Sequence, residues 1–148
     1  MRLVVDASVA VKWVLPDSAV ESDTDRAAAL LNAVQENRVE LVQPPHWLAE
    51  VTAVIPRLRP EVANEAVDLL AALELAVEAD AEIYKRASRI ASQFDHHLFD
   101  TLYHALALER DAVLVTADDR YLRKAAALGG IVSLSNWIPP TGVTYDKR

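Results

Sequence analysis

Four carboxylates stand apart from the rest of the 22 acidic residues because each is set into apolar sequence. Asp6 ends the run Leu3-Val4-Val5, and Glu50 follows Trp47-Leu48-Ala49. Asp100 lies in the first or second turn of the almost wholly apolar stretch 97–108, and Asp118 or Asp119 follows Ala112-Val113-Leu114-Val115-Thr116. Asp23, Glu36, Glu65 and Glu109 fall instead on polar faces or loops and read as ordinary surface. Carboxylates gathered at one point repel one another and raise one another's pKa, a cost that a divalent cation between them removes. Sites made only of carboxylate oxygen suit Mg²⁺ or Mn²⁺. Ions held in this way bind phosphates and activate water for in-line attack on phosphodiesters. By residue type the chemistry is that of a metal-dependent nuclease or phosphatase. The chain has no Cys, hence no thiolate metal site and no thiol nucleophile, and its three glycines at 129, 130 and 142 form no phosphate-cradling loop.

The elements that must carry these acids follow from the patterning. Leu3-Val4-Val5 is apolar without alternation, as expected of a central strand buried on both faces. After Asp6, the spacing of Val9, Ala10, Trp13 and Val14 predicts a helix, so Asp6 lies in a strand-to-helix turn. Ligands of open parallel sheets bind at such turns; the plainer role for Asp6 is to cap the helix. Leu15-Pro16-Asp17 breaks the pattern, and Ser22 to Asp25 offer N-caps for a second helix ending near Asn37. A short strand is expected over 39–42, a helix over Trp47–Leu58 kinked or shortened by Pro56, and another over Glu61–Leu73. A short strand at 74–77 and a helix capped by Asp80 come next. Residues 97–108 read as a buried helix, 112–116 as a buried strand, and the helix after it ends at Gly129-Gly130. A last strand covers 131–134. Strands alternating with helices indicate an α/β fold whose mostly parallel sheet is covered on both faces. Residues 1–138 are expected to form one domain and 139–148 a loose tail.

Composition narrows the partners. A net charge of −7 argues against a passive binder of nucleic-acid backbone, though not against an enzyme whose ions offset its carboxylates. No apolar run approaches the ~20 residues of a membrane span, and Asp6 and Lys12 interrupt any signal sequence. A cytoplasmic protein is expected.

Taken together, four stretches resemble the PIN-domain ribonucleases, and most of all the VapC toxins of bacterial toxin–antitoxin pairs. They are Val4-Val5-Asp6-Ala7-Ser8-Val9-Ala10-Val11-Lys12-Trp13, Pro45-His46-Trp47-Leu48-Ala49-Glu50-Val51, Phe99-Asp100-Thr101-Leu102-Tyr103-His104-Ala105-Leu106-Ala107 and Leu114-Val115-Thr116-Ala117-Asp118. They occur in the family's order and span about residues 3 to 137. The resemblance implies a three-layer α/β/α fold and a toxin-type endoribonuclease. It makes Asp6, Glu50, Asp100 and Asp118 the carboxylates that hold Mg²⁺ or Mn²⁺, with Thr116 in support and Ser8 as the small polar residue beside the first Asp. It also implies a homodimer and a VapB-like antitoxin, whose C-terminal segment occludes the carboxylates through Arg or Lys and packs near Trp13 and the third and fourth helices. Two positions depart from the pattern. Ala53 stands where many relatives have Asn, and Pro56 falls inside the same helix. The reading of another class is a non-catalytic module, either a degenerate PIN domain or a receiver-like domain. A receiver would carry paired acids at the first strand and a Lys after the last major one.

Other residues have both a chemical and a structural reading. His96, His97 and His104 flank Asp100 and could bind zinc, but helix-surface or hydrogen-bonded histidines account for them as well. Trp13, Trp47 and Trp137 could stack on RNA bases; their apolar stripes favour packing. Arg120, Arg123 and Lys124 could meet phosphates or simply face solvent. Between the neighbouring acids, Thr116 and Asp119 have the spacing of a capping box. That register assigns the helix to Asp119 and the metal to Asp118.

Overall fold

A computed structural model describes residues 1–15 and 21–141 of the chain. The expected break at Pro16-Asp17 and the end of the expected tail, residues 142–148, lie outside the described residues. The elements run β1 (Arg2–Val5), α1 (Ala7–Val14), α2 (Thr24–Gln35), β2 (Glu40–Gln43), α3 (Trp47–Leu58), α4 (Ala63–Ala72), β3 (Ala76–Val77), α5 (Ala81–Phe94), α6 (Leu98–Glu109), β4 (Val113–Thr116), α7 (Asp119–Ala125) and β5 (Ile131–Ser133). Short 3₁₀ turns at Pro60–Val62, Ala126–Leu128 and Leu134–Asn136 join them.

The strands form one five-stranded sheet in the order β3-β2-β1-β4-β5, and every pairing is parallel. The most apolar strands are central: β1 pairs with β4 through Leu3↔Val113, Val4↔Leu114 and Val5↔Val115. Alternate residues of β1 serve opposite faces. Val4 packs with α3, α5 and α6 on one side, whereas Leu3 and Val5 join α2 and Trp137 on the other. This is the three-layer arrangement that a continuous apolar strand requires. From β1 the chain goes outward on one side through β2 and β3, then returns to build β4 and β5 on the other. The crevice at the carboxyl ends of β1 and β4 is therefore the switch point at which sheets of this kind bind ligands.

Local chemistry explains where boundaries depart from periodicity. Val39 is not yet strand: its N–H bonds Ala33 O at 3.2 Å, completing a turn that needs the left-handed Asn37 (φ 59°). Glu61 and Val62 belong to a 3₁₀ turn, and regular helix begins only at Ala63. Pro56 neither stops nor shortens α3, which continues to Leu58. Asp80 caps α5 as expected, accepting from Ile83 N at 2.9 Å. Helix α6 is buried continuously from Thr101 to Ala107. The buried Thr101 hydroxyl is satisfied by Ala87 O at 2.8 Å. In the segment expected to be a tail, Pro140 O accepts from Arg38 at 2.9 Å.

Candidate active site

The end of β1 is pinned before any acid is placed. The Gln43 side chain, fully buried, accepts from Val5 N at 2.8 Å and donates to Val5 O at 2.9 Å. It replaces the backbone partner that β2 no longer offers, as a buried peptide group requires. Asp6 N then donates to Val115 O at 3.0 Å. Asp6 is thus fixed between the two central strands at their carboxyl ends.

Asp6 also caps α1. Its Oδ2 accepts from Ser8 N at 3.1 Å and from the Ser8 hydroxyl at 2.5 Å. Capping and cleft position are compatible, and Asp6 has both. Ser8 Oγ in turn accepts from Ala117 N at 3.0 Å, tying the turn after β1 to the turn after β4. Burial pushes the Asp6 carboxyl up to about 6, against the opposing Ser8 hydrogen bonds and with added repulsion from Asp100 and Glu50.

Asp118 follows β4 and is itself the N-cap of α7. Its N–H donates to Thr116 Oγ1 at 3.0 Å, and its Oδ1 accepts from Tyr121 N at 3.1 Å. This corrects the capping-box register: Thr116 lies before the cap, and Asp119 is the exposed first residue of the helix. One carboxylate serves both the helix and the cleft, because a cap uses only one of its two oxygens.

Glu50 and Asp100 come from the first turns of α3 and α6. Burial raises the Glu50 carboxyl, but the neighbouring His46 and Tyr103 side chains outweigh it and hold Glu50 below its usual range. His46 Nε2 lies 3.3 Å from Glu50 Oε1 and 2.7 Å from Phe99 O, so it links α3 to α6. The Asp100 carboxyl is raised by burial and by the Glu50 charge, opposed by His96. His96 Nε2 meets Asp100 Oδ2 at 2.9 Å, and its Nδ1 lies 3.3 Å from Lys124 Nζ. The Tyr103 hydroxyl, buried beside these acids, is pushed up by desolvation and by the Glu50 and Asp6 charges.

All four acids line one cleft of about 430 Å³, together with Ser8, Val11, Lys12, Glu21 and Val54. Four separate elements deliver them there: the ends of β1 and β4 and the first turns of α3 and α6. Atoms of His96, Asp100 and Asp118 lie within 4.8 Å of one another, close enough to share one ion.

The remaining candidates go to structure. His104 is fully buried between Tyr121 OH (2.9 Å) and Gly129 O (2.7 Å), so both ring nitrogens are occupied and burial lowers its pKa. Trp13 donates to Ala27 O at 3.0 Å, joining α1 to α2, and Trp47 and Trp137 are buried. Arg120 and Arg123 are exposed and do not line the cleft. Sequence reasoning did not single out Lys12, Glu21, Gln43 or Tyr103. Lys12 had a signal, four residues after Ser8 on the same face of a helix. Gln43 and Tyr103 had none, because their partners Val5 and Glu50 lie far off in sequence.

No curated protein matches the chain. Among solved structures it resembles a toxin–antitoxin complex from Klebsiella pneumoniae at 16% identity and a TM-score of 0.57, covering 89% of this chain and 97% of that one. At that identity the likeness speaks for the fold. The PIN domain family matches residues 3–128, and that span contains Asp6, Glu50, Asp100 and Asp118 and all of both central strands but Arg2: the chain belongs to the PIN domain family.

Proposed function

We propose that the chain is a toxin-type endoribonuclease that hydrolyses RNA phosphodiester bonds with Mg²⁺ or Mn²⁺ held by Asp6, Glu50, Asp100 and Asp118. The observation that carries this reading is the convergence of four carboxylates from four elements on one cleft at the sheet's switch point. A hard divalent cation fits the donor set. Asp6 and Asp100 are both held above their ordinary range by burial and by neighbouring carboxylates, a tension that a cation relieves. When bound, such an ion supplies the charge that orients a phosphate and lowers the pKa of an attacking water.

The chain's own residues prepare the site. Ser8 holds Asp6 and the turn after β4 in one frame. Asp118 gives one oxygen to the amide of Tyr121 and keeps the other for the cleft. His96 orients Asp100, and His46 orients Glu50. No side chain is required as a covalent nucleophile.

The neighbouring toxin–antitoxin complex supports an antitoxin partner for this chain. An antitoxin Arg or Lys inserted among the acids would take the place of the ion. A homodimer belongs to the same reading, and light scattering at micromolar concentration tests it. The deciding experiment is cleavage of RNA by purified protein in Mg²⁺ or Mn²⁺, with EDTA, Asp6→Asn and Asp100→Asn as controls. Metal-dependent cleavage lost in both variants supports the proposal. A folded wild type that cuts no RNA with either metal leaves the non-catalytic PIN module instead.

A further inference from the structure

Among the described residues that line the acidic cleft, Lys12 is the only cation. It sits on α1, one turn beyond Ser8, and is only 6% exposed. Its Nζ pairs with Glu21 Oε1 at 3.2 Å, and Glu21 also lines the cleft. A lysine this buried is uncommon without a partner, and Glu21 is the partner it has here. The pair is unequal, however, because the Glu21 side chain is 20% exposed and keeps contact with water.

We infer that Lys12 is a substrate-binding residue: its ammonium leaves Glu21 to hold a phosphate oxygen of the nucleic-acid strand, and Glu21 is the partner it exchanges for that oxygen. The inference rests on the nuclease reading above. A phosphodiester strand entering a cleft lined by five carboxylates meets strong repulsion, and metal ions offset it only at the acids that ligate them. Lys12 stands on the same helix as Ser8 and faces the same cavity, so it adds positive charge along the path of the strand. Lysine suits this task as a mobile point charge that exchanges one oxygen partner for another. A Lys12–Glu21 pair with a purely structural role makes a different prediction. Loss of either partner would then have the same effect on RNA.

The test compares Lys12→Met, Lys12→Arg, Glu21→Gln and the Lys12→Met/Glu21→Gln double variant with wild type, each first checked by thermal melting. Cleavage of a single-stranded RNA gives KM and kcat, and its affinity is followed across NaCl concentration in Ca²⁺ or with Asp100→Asn added to block turnover. Lys12→Met should raise KM on the order of 10- to 100-fold, the effect of one charge-assisted contact, and reduce the salt slope by about one. Lys12→Arg should keep most of the slope. Glu21→Gln should move the opposite way, tightening RNA several-fold by releasing Lys12. The double variant removes the stranded Glu21 charge, so it reports on Lys12 even where the single variant folds poorly. Mn²⁺-induced rise in melting temperature should persist in all of them.

Equal loss of RNA affinity in Lys12→Met and Glu21→Gln, or an unchanged KM and salt slope in Lys12→Met, overturns the inference while wild-type cleavage leaves the nuclease reading intact. A wild type that neither binds nor cuts RNA overturns both.

Discussion

Asp6→Asn separates the chemistry of the cleft from its stability. The Asp6 carboxyl is pushed from 3.8 to about 6, first by burial and then by the Asp100 and Glu50 charges. An acid whose folded pKa lies above its unfolded value loses stability as pH rises. For Asp6 the loss builds between about pH 4 and pH 6 and is complete above that window. A rise of about 2 in pKa corresponds to roughly 3 kcal/mol. Partial access to water brings the expected gain on neutralising the group to roughly 1–3 kcal/mol. Asn preserves what else Asp6 does, since its amide oxygen can accept from Ser8 N and the Ser8 hydroxyl, and Asn is as good an N-cap as Asp. At pH 7.5 in EDTA the variant should therefore melt higher than wild type, by about 2–4 °C per kcal/mol in a chain of this size. At pH 4 the difference should shrink to under about 1 kcal/mol, because wild-type Asp6 is then neutral in the fold. Metal-dependent cleavage should be lost at every pH. Urea or thermal melts at the two pH values, with cleavage measured in parallel, decide the matter. The reasoning fails if Asp6→Asn melts below wild type at pH 7.5, or if the difference between the two proteins is the same at both pH values.

Three further outcomes follow from the same geometry. Mg²⁺ or Mn²⁺ should raise the wild-type melting temperature at pH 7.5 and lose that effect below about pH 5, where protons compete for Asp6 and Asp100; differential scanning calorimetry with and without EDTA reads this directly. Asp118→Asn should keep the α7 cap and lose metal affinity, whereas Asp118→Ala should in addition cost about 1 kcal/mol. Exposed Asp119→Asn should change stability by at most a few tenths of a kcal/mol and spare activity, and a reversal between positions 118 and 119 would move the site. Gln43→Leu removes both hydrogen-bonding groups from the buried Val5 peptide, so it should cost roughly 2–4 kcal/mol. Its melting curve at pH 4 should show the same loss as at pH 7.5, because no titrating group is involved.

The local code carried much of this molecule. An unbroken apolar triplet before Asp6 requires a central strand, and one before Asp118 requires another. With apolar helices between them, little remains but a parallel sheet covered on both faces. The almost wholly apolar course of residues 97–108 identified a buried helix, and Asp80 declared a helix start, because patterning and capping act within a few residues. The four acids stood out for the same reason, as charges where the surrounding sequence is meant for a core. Tertiary structure decided what depends on distant partners. Whether Asp118 or Asp119 faces the cleft turned on where α7 begins, and a Thr three residues before Asp119 had suggested the wrong register. Sequence spacing alone cannot show that Asp118 takes the amide of Tyr121. Gln43 looked like the end of a short strand until Val5, 38 residues away in sequence, proved to be its partner. His104 lies on α6 with Asp100, yet its ring is taken by Tyr121 and Gly129, and His96 reaches Asp100 instead. Lys12 was visible as a charge near the N-terminus, but only packing put it in the wall of the cleft beside Glu21. Periodicity reports which face of an element is apolar; which groups meet across that face depends on strand order and helix packing, which no short stretch of sequence contains.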